Sequence, residues 1–124
     1  MAQSVHADND YLAVAGEGFA CGVYEREGYE LIDARVRTAA GELDLIMRAP
    51  DGTVVFVEVK TRSGRAFGAA EAVTAKKLRT MRRCAAQWLE DKPWAQVRFD
   101  VAEVLFTDEA ASIQIFEDVD RGAC

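Results

Sequence analysis

Apolar positions along this chain change their period at regular intervals, and the changes mark out its elements. From Asp10 to Glu27, the residues Leu12, Ala15, Phe19, Ala20, Val23 and Tyr24 recur at helical spacing, and Gly28 stands where a C-terminal cap belongs. A helix is predicted there. Tyr29–Arg37 and Gly41–Ala49 then alternate or run apolar in short stretches broken by Ala39-Ala40-Gly41, as two adjoining strands do. Thr53–Thr61 is nearly continuous in β-branched and aromatic residues, which suits a central strand covered on both faces. A second helix is predicted over Thr74–Leu89, with Thr74 as N-cap, because Leu78, Met81, Ala85, Trp88 and Leu89 form an apolar stripe. After a turn through Asp91-Lys92-Pro93, Val97–Phe106 and Ser112–Phe116 read as two more strands. The order αβββαββ implies an α/β fold, a central mixed sheet with helices packed on it.

One turn sets a register. In Ala49-Pro50-Asp51-Gly52-Thr53, proline presets φ at the first turn position, aspartate suits the second, and glycine supplies a left-handed third. Ala49 then pairs with Thr53, and counting outward sets Asp44 across from Glu58 and Glu42 across from Lys60. Opposed residues share a face with Cβ atoms about 4.5–5.5 Å apart, so two carboxylates there either repel or hold a cation. The alternatives are a shifted register, or an ordinary ion cluster of Glu58 with Lys60 and neighbouring arginines. Carboxylates without histidine or thiolate partners favour a hard ion, Mg²⁺ or Mn²⁺. Lys60, two residues from Glu58, projects to the same face, where an ammonium group beside a phosphate suits phosphodiester hydrolysis. Glu17 on the first helix is a further acidic candidate.

Length and composition narrow the partners. At 124 residues and 50% hydrophobic, the chain is one domain, expected over 10–116, with polar tails at 1–9 and 117–124. No apolar run approaches a membrane span, and the start lacks a signal-peptide layout, so a cytoplasmic protein is expected. Three widely spaced cysteines, Cys21, Cys84 and Cys124, and a lone His6 argue against a disulfide framework, a zinc site or a histidine base. Cys21, Cys84 and Trp88 read as core residues. The net charge is −6, yet residues 60–83 hold eight basic side chains against one acidic. Such segregation fits a polyanion footprint as well as a solvated helix face. Thr61, Arg62, Arg65, Lys76 and Lys77 are the candidate phosphate contacts.

The strings GELDLI at 41–46, VFVEVKTR at 55–62 and AFG at 66–68 resemble the YraN-like family of small bacterial proteins. Gly16-Glu17 with Ala20 and Gly28-Tyr29, Ala72-Val73-Thr74 with Lys77, and Arg98-Phe99-Asp100-Val101 extend the resemblance over about Gly16 to Val104. It implies a restriction-endonuclease-like fold in the PD-(D/E)xK superfamily, similar in layout to archaeal Holliday-junction resolvases. Position by position, Glu17 would be the helix carboxylate, Asp44 the metal-binding aspartate, and Glu58 with Lys60 the ExK pair. Two positions depart from the family's pattern: Arg35, where asparagine is common, and Ala75, where proline is common. Neither is expected to touch the metal site. The implied function is a Mg²⁺-dependent DNA endonuclease acting on branched or non-standard DNA in repair or recombination, and the short DNA footprint of so small a chain suggests a homodimer if it cuts both strands. The alternative is a non-catalytic nucleic-acid-binding module with the same fold.

Overall fold

A computed structural model describes residues 5–64, 74–93 and 96–120, the side chains of 5–10 excepted. The elements follow in the predicted order: α1 (Val5–Arg26), β1 (Glu30–Thr38), β2 (Gly41–Arg48), β3 (Val54–Ser63), α2 (Ala75–Leu89), β4 (Val97–Phe106) and β5 (Ala111–Phe116). Helix α1 begins at Val5, ahead of the predicted Asp10. Arg65, Ala66-Phe67-Gly68, Ala72-Val73, Trp94 and Cys124 lie outside the described residues.

The five strands form one sheet in sequence order. Only β3 and β4 run parallel, and α2 lies in the crossover that a parallel pair requires. Every other neighbouring pair is antiparallel, which makes the sheet mixed. The turn between β2 and β3 is as its residues predict: Gly52 has φ +92°, the Gly52 amide donates to the Ala49 carbonyl, and the Ala49 amide donates to the Thr53 carbonyl. Thr74 caps α2, its hydroxyl accepting from the Lys77 amide at 3.0 Å.

Two cores lie on the two faces of the sheet, because β3, in the middle, alternates between them. Val55 and Val57 face α1 with Ala20, Tyr24, Leu45, Met47, Ala102 and Val104. Val54 and Phe56 face α2 with Leu43, Ile46, Leu78, Met81, Cys84, Ala85 and Phe99. Cys84 is buried as expected, Cys21 only partly, and Trp88 sets its ring edge-on against Phe56.

Two contacts fix α1. At its C-terminal end the Tyr24 hydroxyl donates to Asp100, a fully buried carboxylate that also accepts from Arg98 Nε and Nη2 and from the Asp118 amide. Nearer its middle, Gly16 lies against Thr61 of β3 so closely that a Cβ would fall 1.9 Å from the threonine hydroxyl. The segment after β5 is tied down too, the Val119 amide donating to the Phe99 carbonyl and Asp120 accepting from Arg82.

Candidate functional site

The β2–β3 ladder has the predicted register but stops at Leu45 opposite Val57, one pair short of Asp44 and Glu58. Side-chain alternation in β2 breaks at this point. Leu43 packs on the α2 side and Leu45 on the α1 side, although residues two apart in a regular strand share a face. The adjoining position of β1 is also irregular. Arg35, between the pairs Ala34–Leu45 and Val36–Leu43, has φ +51°, a left-handed conformation that costs a non-glycine residue roughly 1–2 kcal/mol.

Where the ladder ends, the Asp44 carboxylate takes over. Its Oδ2 accepts from the Val59 amide at 2.8 Å, a bond made to the third strand's backbone instead of a side-by-side pair with Glu58. Glu58 is buried on the α2 face, and its Oε2 has Lys60 Nζ at 3.4 Å and Lys77 Nζ at 3.3 Å. Lys77 reaches it from the first turn of α2, which the Thr74 cap holds in place. The close approach at Gly16 sets the next residue, Glu17, at the same end of the sheet, with Arg35 Nε 3.4 Å from its Oε1. Arg35 therefore touches the helix carboxylate of the candidate site, Glu17, and not the proposed metal pair Asp44 and Glu58.

Burial and like charge act together on these acids. The Asp44 carboxyl is pushed up to about 7, first by burial and then by the negative charge of Glu58, against the lowering effect of the Val59 amide. Glu17 is raised as well, by burial more than Arg35 offsets, with Glu42 and Glu58 adding to the rise. A carboxyl that resists ionisation because it is buried near like charge is what a cation would relieve. The donors are all oxygen, so they suit a hard divalent ion. Among the described residues, no three acidic, histidine or cysteine side chains form a ready-made metal cage. The candidate donors remain Asp44 and Glu58, while Glu17 is paired with Arg35.

The expected phosphate contacts divide. Lys77 is inside the cluster and Lys76 is exposed beside it. The Arg62 guanidinium donates to the buried Glu103 at 2.8 Å, and Thr61 faces Gly16. Arg65 lies outside the described residues. Sequence reasoning missed the Arg35–Glu17 contact and the bond from Lys77 to Glu58. One signal for the break at Asp44 was present: Leu43, Leu45, Ile46 and Met47 are all apolar, which a strictly alternating strand cannot bury on one face.

A five-stranded mixed sheet with a helix against each face, in the order αβββαββ, is consistent with a restriction-endonuclease-like fold. The sequence profile of Uncharacterised protein family UPF0102 matches residues 16–104, and the chain belongs to that family, the YraN family of the sequence resemblance. It is similar to UPF0102 proteins of Corynebacterium diphtheriae, 46% identical over 94% of this chain and 96% of that one, and of Corynebacterium efficiens, 47% identical over 90% and 93%. A UPF0102 protein of Alkaliphilus oremlandii is 40% identical over 89% of this chain and 97% of its own length. Among the described residues no helix is long and apolar enough to cross a membrane.

Proposed function

We propose that this protein is a divalent-metal-dependent endonuclease that hydrolyses phosphodiester bonds in DNA. The observation that carries the reading is the Asp44 carboxylate, half-buried and within the field of the Glu58 charge, in a cluster that also contains Lys60. Asp44 and Glu58 would hold Mg²⁺ or Mn²⁺, which supplies positive charge against a phosphate and acidifies water. Lys60 keeps its ammonium beside Glu58, positioned to stabilise the negative charge on the phosphoryl oxygens as water attacks and a sugar oxygen leaves. Lys76 and Lys77, in the first turn of α2, present cations and the helix dipole to backbone phosphates without reading sequence. Branched or otherwise non-standard DNA is the substrate class we favour, with a homodimer where both strands are cut and the cytoplasm as the setting. Cys21 and Cys84 are free thiols, in keeping with that compartment.

A non-catalytic nucleic-acid-binding module is the second reading. It is favoured by the double neutralisation of Glu58, whose Lys60 and Lys77 contacts satisfy its charge without a metal. Calorimetric titration of Mn²⁺ into the wild type and Asp44→Asn, followed by cleavage assays on linear and branched DNA with Mn²⁺, separates the two. The endonuclease binds Mn²⁺ and cuts, and loses both in the variant. Salt-sensitive DNA binding with neither metal binding nor cleavage, with DNA present in the titration, refutes the enzyme and leaves the binding module.

A further inference from the structure

Positive charge is distributed unevenly over the four carboxylates of the cluster. Glu17 has Arg35 at 3.4 Å, Glu42 has Arg37 at 3.5 Å, and Glu58 has Lys60 and Lys77. Asp44 has the Val59 amide as its hydrogen-bond donor. A divalent ion approaching Asp44 and Glu58 competes with two flexible lysines. At Glu17 it would have to displace a guanidinium, and the fold has gone to some length to keep that guanidinium there.

Arg35 is one of two described non-glycine residues with positive φ, and the strand pairs on either side of it clamp its backbone in that conformation. The side chain is 49% exposed, while Glu17, which it covers, is 12% exposed. Arginine stays protonated at any working pH, so its charge beside Glu17 is permanent. A strained backbone position that delivers a fixed cation onto a mostly buried carboxylate is a structural device, and its target lies one residue from the contact that docks α1 on β3.

We propose that Arg35 is a positioning residue whose guanidinium takes the place of a second cation beside Glu17, so that the site accepts one divalent ion, through Asp44 and Glu58. This rests on the metal reading above. When Arg35 is removed, Glu17 is released to add its charge to the field of the single ion. The coupling between the two residues is therefore visible in metal affinity without any substrate.

The test is Mn²⁺ titration by calorimetry into wild type, Arg35→Asn, Glu17→Gln and the double variant, with a thermal melt of each metal-free protein as a folding control. Asparagine tolerates left-handed φ, so Arg35→Asn is expected to fold at least as well as wild type. The expected result is one ion per wild-type chain and about fivefold or more tighter binding by Arg35→Asn, the low end of ordinary coupling between sites. In the Glu17→Gln background the same substitution should change affinity by less than about twofold, because a released arginine on this exposed rim is screened by solvent. Two ions in the wild type, no gain in Arg35→Asn, or an equal gain in both backgrounds overturns the proposal while the metal site stands. No Mn²⁺ binding by any of the four proteins, with DNA present in the titration as well as without it, overturns the metal reading and the proposal with it.

Discussion

Replacing Asp44 by asparagine is expected to stabilise the metal-free protein at pH 8. The amide oxygen can still accept from the Val59 amide, so the bond that closes the end of the β2–β3 ladder is kept while the charge is removed. An aspartate titrates near 3.9 in an unfolded chain, roughly, and Asp44 is pushed up to about 7 in the fold. The folded state thus binds the proton more tightly, and stability must fall as pH rises through the interval between those values. Below pH about 4 the side chain is protonated in both states and the penalty is absent; above about 7 it is fully present. Three pH units at about 1.36 kcal/mol each set a ceiling of about 4 kcal/mol. Solvent screening at a half-buried site and the shared charge with Glu58 bring the expectation to about 2 kcal/mol. For a chain of 124 residues with an unfolding entropy of about 2.1 cal/mol/K per residue, that is a rise in Tm of about 8 °C. Thermal melts in EDTA at pH 4, 6 and 8 measure it. A variant no more stable than wild type at pH 8, or equally stabilised at pH 4, refutes the argument that ionised Asp44 is under electrostatic strain.

Three further outcomes are expected. Gly16→Ala drives a methyl group into the Thr61 hydroxyl and should cost about 1–3 kcal/mol in urea denaturation, with partial recovery in the Gly16→Ala/Thr61→Ala double variant; additive losses would show that α1 does not dock there. Tyr24→Phe leaves the buried Asp100 one donor short and should cost about 1–3 kcal/mol, whereas an unchanged midpoint would mean that Arg98 and the Asp118 amide suffice. If Lys77 meets a DNA phosphate, Lys77→Ala should reduce the slope of log K against log salt by about one contact, and an unchanged slope would confine Lys77 to its bond with Glu58.

What the sequence determined by itself is chemistry that acts over a few residues. Pro50-Asp51-Gly52 specifies its turn because each residue presets its own φ, and the turn sets the register from Leu45–Val57 to Arg48–Val54. Thr74 specifies the start of α2 by accepting from a backbone amide three residues on. Glu58 and Lys60 share a face through the period of the strand, which is why their pairing was legible as an alternative before any fold was known. Tertiary structure decided the rest, because those contacts join distant segments through side chains long enough to choose among several partners. Arg62 reads as a surface phosphate ligand until β4 places Glu103 beside it. Lys77 reads as one charge on a solvated helix face until α2 is laid on the sheet and brings it to Glu58. Counting from the turn sets Asp44 opposite Glu58, yet the ladder stops one pair earlier, because Leu43 and Leu45 are needed in cores on opposite sides of the sheet. Alternation cannot satisfy both, so the strand breaks its period at Asp44, and that break turns the carboxylate onto Val59 and lets Arg35 meet Glu17.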